Sequence, residues 1–456
     1  MTEQEKHYRL MTATPIPRLV LRMAAPTVVS MLVTSIYNMA DTIFVSQLGN
    51  SASGAVGVVF SIMAVIQAVG FTLGMGAGSL VSRCLGRHDS ERASRYASTS
   101  FFAALAFGLC LTVFGLLFLD PLMRFLGSTD TILPYARDYA LYILLAAPVM
   151  SASFVLNNVL RAEGRAAFSM VGLTVGGVLN IILDPIFIFT LGLGTAGAAI
   201  ATGLSQCIGF FIMLGFFLSG KAQSKLSLRR CSVGGDTLGL ILKTGMPSFS
   251  RQGLASLASI LLNKGAMVYG DAAVAAMTIV GRIFMVILSV LLGIGQGFQP
   301  VCGFNYGAGL HSRVRHAFRF TAVMGEVAMG SLAIIGFFIA PYLVGLFRPD
   351  PIVIEIGALA FRCQCVAMLF QPLSICSNML FQSIGQSGKA TLLACMRQGL
   401  YFIPLILILP AIPGLGLLGV QISQPIADLL SFVSTVPFLA GFFRRLPQDQ
   451  PAASKP

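Results

Sequence analysis

Tryptophan is absent from this chain of 456 residues, and charge is scarce: Asp, Glu, Lys and Arg make up 10%, against 56% hydrophobic residues. A soluble domain carries roughly 25% charged residues, so there is too little charge here to cover a surface in water. Without tryptophan, any belt at a membrane interface must be built from Tyr and Phe. Histidine is equally thin. All four (His7, His88, His311 and His316) lie in polar segments, which argues against a buried histidine proton relay. The cysteines show no paired zinc spacing. Cys363 and Cys365 are two apart and would point to different faces of a helix, which leaves them as small buried hydrophobes. No nucleophile–base or metal-ligand spacing appears, so the sequence reads as no enzyme and as needing no cofactor. Nor is a cleavable signal peptide visible: the first 18 residues are polar, and the first apolar run is too long for one.

What the chain has instead is apolar runs, each long enough to cross a bilayer as a helix of about 20 residues. Twelve spans are expected, at approximately 19–48, 54–81, 96–119, 136–159, 166–191, 195–219, 238–269, 273–300, 314–341, 353–380, 390–410 and 415–443. The fold class is therefore an all-α polytopic membrane protein. The net charge of +13 invites a nucleic-acid reading, but the cations cluster in short loops at 83–95, 220–237 and 308–319 and at both ends. That is the positive-inside pattern. It excludes a nucleic-acid partner and places both termini in the cytoplasm.

The chain also repeats. A shift of 221 positions brings Pro26 onto Pro247, Gly49 onto Gly270, Gly76 onto Gly297 and Asn157 onto Asn378; with one more residue, "GLGTAG" (192–197) falls on "GLGLLG" (414–419). Two six-helix lobes follow, related by a pseudo-two-fold axis along the membrane normal, an architecture of transporters. Expected segments are 1–18 (cytoplasmic), 19–219 (first lobe), 220–237 (basic linker), 238–443 (second lobe) and 444–456 (cytoplasmic tail). The glycine clusters "GMGAG" (74–78) and "GIGQG" (293–297) lie inside spans and read as close helix packing rather than as a nucleotide fingerprint, which needs a preceding strand.

Ionisable residues inside spans mark pathways or proton relays by default. In the first lobe the deep acids are Asp41 and Asp184, at similar depth in the outer half of the bilayer. One turn before each, on the same helical face, stand Tyr37 and Asn180; Thr202 enters near that depth on the sixth span. Two carboxylates sharing a poorly solvated site cannot both ionise cheaply, so such a pair holds a proton reversibly. The same oxygens (Asp41, Asn180, Asp184, Thr202) can instead hold Na+ as a hard cation. Pro185 removes a backbone donor beside the site, and Pro26 lets the first helix bend. The repeat partners of Tyr37, Asp41, Asn180 and Asp184 are Ala258, Leu262, Tyr401 and Leu405: the scaffold is duplicated and the acids are not. The second lobe carries Arg282, Glu326, Arg362, Arg397 and Asp428, with Arg251 and Arg397 near enough to the cytoplasmic end to snorkel. Two readings stand for this set: acid–base pairs that lock the lobe, or a basic wall for an anionic substrate.

The stretches "TPIPRLVLRMAAPTVVSMLVTSIYNMADTIFVSQLG" (14–49), "NIILDPIFIFTLGLGTAGAAIATGLSQ" (180–206) and "GIGQGFQPVCGFNYGA" (293–308) resemble the multidrug and toxic compound extrusion (MATE) transporters, in the branch with DinF-like and MepA-like pumps. The resemblance covers nearly the whole chain. It implies a monomeric twelve-helix antiporter of the bacterial inner membrane that exports drugs or toxic metabolites, often cationic and amphipathic, in exchange for H+ or Na+. It implies that Asp41 and Asp184 couple the ion, that Asn180 and Thr202 join a cation site, and that Tyr37, Tyr139 and Asn157 line the same cavity. It also matches Pro26 to a proline that bends the first helix. Two rivals remain: a flippase for lipid-linked precursors, gripping a phosphate with Arg282 and Arg362, and a non-transporting membrane scaffold.

Overall fold

A computed structural model describes residues 3–232 and 234–447; the parts of the expected terminal segments and linker at 1–2, 233 and 448–456 lie outside the described residues. Among these no strand occurs. Helices α1 (Glu3–Ala13) and α2 (Ile16–Ser46) lead into α3 (Asn50–Gly86), α4 (Ser90–Leu117), the short α5 (Leu119–Phe125) and α6 (Leu133–Ala162). Then come α7 (Ala166–Pro185), a π-helical turn (Ile186–Thr190) and α8 (Gly194–Leu218). After the linker follow α9 (Gly235–Met267), α10 (Asp271–Gly307) and α11 (His311–Phe347). The chain continues with α12 (Pro351–Met368), α13 (Gln371–Ser383), α14 (Ser387–Cys395), a π-helical stretch (Met396–Phe402), α15 (Ile403–Ile408) and α16 (Gly416–Arg445).

Among the described residues, eleven helices are long and apolar enough to cross a membrane. The seventh expected span falls on α9, which is 33 residues long; Arg251, Gln252 and four serines lower its hydropathy, and it is not among the eleven. The tenth expected span is broken in two, α12 and α13, at Leu369–Phe370, ahead of Pro372. Proline cannot donate to the preceding turn.

The repeat is written into the helix ends. α3 and α10 are both 37 residues long and begin and end 221 positions apart. α6 and α13 end, and α7 and α14 begin, at the same offset; α8 and α16 begin one residue beyond it. The turns repeat too. Gly49 and Gly270, which start α3 and α10, have φ of 110° and 95°, backbone that L side chains rarely adopt.

Two compact units result. One holds the described residues up to Arg9 with Ala25–Gly245; the other holds Leu10–Ala24 with the described residues from Met246 on. In the first, α6 runs through the middle, packed on α3, α4 and α8, over a core that includes Ile66, Met123, Tyr139 and Ile143. In the second, α10, α11 and α12 pack together and α16 closes on α12, around Leu291, Met329, Phe361 and Phe402.

The glycine clusters do pack helices closely. A Cβ on Gly74 would sit 2.8 Å from the carbonyl of Phe154 on α6, and one on Gly76 would sit 2.2 Å from that of Ile241 on α9. In the second unit, a Cβ on Gly297 would lie 2.4 Å from Cα of Ala24 on α2. The chain thus passes between units inside three helices, after Arg9 in α1, after Ala24 (just ahead of Pro26) in α2 and after Gly245 (just ahead of Pro247) in α9.

Candidate functional site

The first unit gathers most of the expected site. α7 brings Asn180 and Asp184 to one face, four residues apart. Asn180 Nδ2 donates to Asp184 Oδ1 at 3.2 Å and to Thr202 Oγ1, from α8, at 3.2 Å. All three side chains are buried, Asp184 completely. The helix changes form immediately afterwards. Pro185 offers no N–H to the turn before it, and the backbone widens into the π-helical turn, where Leu191 N–H reaches the carbonyl of Ile186 at 2.9 Å. Such bulges recur at functional sites. Gly197 lets α8 press onto that turn, since a Cβ there would meet the carbonyl of Phe187 at 2.5 Å.

α2 supplies Tyr37 and Asp41. Tyr37 packs against Gly177 of α7, where a Cβ would lie 3.0 Å from its ring, and its hydroxyl accepts from Gln206 Nε2 at 3.5 Å. Asp41 lies within electrostatic reach of Asp184. Tyr139, fully buried on α6, sits within reach of both carboxylates and turns its hydroxyl toward Thr202 without closing a hydrogen bond.

The unmet valences decide what this place can do. Asp41 Oδ1, Asp184 Oδ2, Asn180 Oδ1 and the Tyr139 hydroxyl are buried and have no partner among the described residues. Buried polar atoms are nearly always paired, and here the unpaired set is rich in acceptors. Acceptors are satisfied by a proton or by a cation that takes oxygen ligands. No group of three His, Cys, Asp or Glu side chains gathers among the described residues, so a cation here rests on two carboxylates and neutral oxygens. That donor set suits H+ or Na+ and offers nothing to a soft metal.

Asn157 is set apart from this cluster. It lies eighteen residues after Tyr139 on α6, about 27 Å along a helix at 1.5 Å per residue, and donates to Ser169 Oγ at 2.6 Å. Its repeat partner Asn378 donates across the same twelve residues, to the carbonyl of Ala390, so each unit ties its helix pair with one asparagine. Pro26 stands inside α2, and Ser30 Oγ donates to its carbonyl at 2.9 Å.

In the second unit Asp428 is closed by Arg397 at 2.6 Å, by Gln371 at 2.7 Å and by Gln424 at 3.1 Å. Arg362 lies on the ring and carbonyl of Phe337 on α11. Arg282 lines a cavity that Arg362 does not reach, and Glu326 stands on the exposed face of α11.

Glu163, at the end of α6, escaped the sequence reading. It is completely buried and accepts from the N–H of Gln223 at 2.8 Å, the N–H of Ser224 at 2.9 Å and the Ser224 hydroxyl. Ser94, Ser98 and Thr99 of α4 continue the seam, holding Lys225, Ser227 and Ser232 by main-chain hydrogen bonds of 3.0–3.1 Å. The linker is therefore fastened along the first unit. The hint in the sequence was a single acid between Arg161 and Arg165, but its partners are backbone amides, which no side-chain pattern reveals.

Burial pushes the Glu163 carboxyl from its ordinary 4.5 up to about 7, while the three donors pull the other way. A raised carboxyl contributes stability that is complete below 4.5 and lost as pH climbs through 7. Protection of the amides of Gln223 and Ser224 against hydrogen exchange is thus expected to fall by between one and two powers of ten, roughly 70-fold, between pH 5 and pH 8. Glu163→Gln should flatten the profile at its low-pH level. A wild-type protection factor independent of pH would contradict this.

Known proteins resemble this chain over most of its length. The MatE family model matches twice, over residues 26–186 and 247–408, its two copies beginning at the repeat offset. The multidrug export protein MepA of Staphylococcus aureus (strain MRSA252) is 26% identical over 431 residues, 94% of each chain. MepA of Staphylococcus haemolyticus (strain JCSC1435) is 27% identical over 409 residues, 90% of each. An outward-facing multidrug resistance MATE transporter of the MOP superfamily superposes with a TM-score of 0.89 at 30% identity, over 96% of this chain and 98% of the other.

Proposed function

The chain belongs to the MatE family of membrane transporters, and from that premise we propose that it is an ion-driven exporter of amphipathic, often cationic drugs, working by alternating access. The observation that carries this reading is the pair of half-buried Asp41 and fully buried Asp184, each with one buried carboxylate oxygen (Oδ1 and Oδ2) unsatisfied, beside Asn180, Thr202 and Tyr139. Carboxylates at such depth are costly, and the second unit holds Leu262 and Leu405 at the equivalent positions. A role in packing alone would be served by leucine in both.

H+ or Na+ is the substrate that completes the first-unit site. Its arrival neutralises the mutual repulsion of the two carboxylates and draws Asp41 on α2 toward Asp184 on α7. Pro26 is the place where α2 can bend in response, because a proline leaves the preceding turn without one hydrogen bond. The bend displaces the drug, the units rock, and the ion leaves on the other side. One positive charge moving down a potential of 100 mV releases about 2.3 kcal/mol, which can drive a neutral drug uphill by more than tenfold; a drug with one positive charge, exchanged one for one, draws on the concentration gradient of the ion instead. In this reading both termini face the cytoplasm of a bacterial inner membrane, the protein acts as a monomer, and neither nucleic acid nor a cofactor takes part.

The test is drug flux in proteoliposomes with a pH gradient and a Na+ gradient imposed one at a time. Uphill export under one of them identifies the ion. No uphill export under either would overturn the proposal.

A further inference from the structure

The second unit contains a cavity of about 510 Å³, within the range of small-molecule sites. It overlaps the α2 side of the acid site in the repeat: Ala258 and Leu262, the counterparts of Tyr37 and Asp41, line it, while Tyr401 and Leu405, the counterparts of Asn180 and Asp184, do not. Its chemistry is the opposite. Arg251 from α9, Arg282 from α10 and Arg397 from the π-helical stretch all face it, where the first unit has Ser30, Ser61 and Gly176 at the matching positions. No carboxylate is among the lining residues. Asp428 sits behind Arg397 and is spent on it and on two glutamines. Arg251 donates to a neutral partner, Asn378, at 3.2 Å, and the charge of Arg397 acts on it repulsively. Arg282 makes no ion pair among the described residues. It stands eleven residues into α10, about 16 Å along the helix, near the middle of a bilayer core of about 30 Å.

Two further observations point to a ligand. Gln364 Nε2 and Ser374 Oγ are buried, line the cavity and have no partner among the described residues; both can donate. The backbone beside Arg397 and Gln398 is π-helical, the kind of local departure that recurs at functional sites. The remaining wall is apolar, with Phe284, Met285, Leu288 and Phe402.

We propose that this cavity binds an amphipathic oxyanion, a carboxylate or phosphate carried on an apolar body, held by Arg282 and Arg251 with Gln364 and Ser374. Guanidinium groups pair with such oxyanions through two parallel hydrogen bonds, and the apolar wall takes the body. This site stands whether or not Asp41 and Asp184 bind the driving ion.

Two fluorescent probes with the same body and opposite charge, pyrenebutyrate and pyrenebutyl-trimethylammonium, test it by anisotropy on the full-length protein in a neutral detergent. The anion is expected to bind at least about tenfold more tightly than the cation, and Arg282→Gln to weaken only the anion, by about tenfold. Arg282→Lys, which keeps the charge and loses the fork, should recover part of that loss, and it separates a binding effect from misfolding. Lysophosphatidate as competitor distinguishes the source of the oxyanion. Displacement of pyrenebutyrate assigns the site to a lipid phosphate, and persistence of pyrenebutyrate assigns it to soluble carboxylates; either supports an oxyanion site. Equal binding of the two probes, or anion binding unchanged in a folded Arg282→Gln protein, would overturn it.

Discussion

Asp184→Asn is expected to reduce gradient-driven drug export by two to three powers of ten while leaving the protein folded. The amide keeps the shape of the side chain and can still accept from Asn180 Nδ2, now 3.2 Å from Asp184 Oδ1, so the local helix contacts survive. What disappears is a charge in a fully buried place. Two unit charges 4 Å apart attract by about 4 kcal/mol at an effective dielectric of 20, which corresponds to a loss in ion affinity of roughly 700-fold. Asp41→Asn should behave alike, because its free oxygen belongs to the same set of unsatisfied acceptors. The double variant should be little worse than either single one, as residues that serve one step are not additive. The measurement is uphill efflux from vesicles, with equilibrium drug binding and melting temperature as controls. Wild-type efflux in both single variants would remove the acids from the coupling step.

Gly76→Ala should be as damaging to stability as those changes are to transport. The added methyl would stand 2.2 Å from the carbonyl oxygen of Ile241 and 3.0 Å from the amide nitrogen of Gly245, both backbone. From the other side, a methyl on Gly245 would stand 1.9 Å from the carbonyl of Thr72. Side chains can swing away; two helix backbones in contact cannot, so α3 and the start of α9 must part. Overpacking of this kind costs about 1–3 kcal/mol, and a contact with no flexible partner falls at the upper end. The melting temperature should drop by roughly 3 °C, because an unfolding entropy of about 2.1 cal/mol/K per residue makes each kcal/mol worth about 1 °C in a chain of this length. Gly297→Ala should match it, with its methyl 2.4 Å from Ala24 Cα. Gly57→Ala on the same helix is the control, because nothing lies within 4 Å of its added atom. Equal melting of Gly76→Ala and Gly57→Ala would show that the helices can separate at no cost.

The parts legible in the sequence were those carried by residue type and spacing. Offset glycines and prolines marked the repeat, and the helix ends keep its register. The grouping of Asp184, Asn180 and Thr202 followed from depth and helical face, and their side chains meet. What stayed hidden depends on partners rather than on type. Apolar periodicity announces a helix such as α2 without saying which neighbours its first nine residues choose, and Ile16–Ala24 group with the second unit. The same blindness applied to Asp428, which closes on Arg397 when several arginines were available, and to Glu163, whose partners are linker amides.

The division of α2 and α9 between units bears on how the chain is made. When the ribosome has released the first six long helices, the unit they form still lacks the stretch 235–245 that seats on Gly76. Leu10–Ala24, synthesised almost first, waits for α10 and Gly297, which arrive more than 270 residues later. Neither half can finish alone. Insertion into the bilayer can proceed helix by helix, but completion of the fold is a late, concerted event with contacts of high sequence separation, the slow kind. The reciprocal trade of helix beginnings has the form of a domain swap written within one chain: each of two like units is completed by an element that precedes the other in sequence.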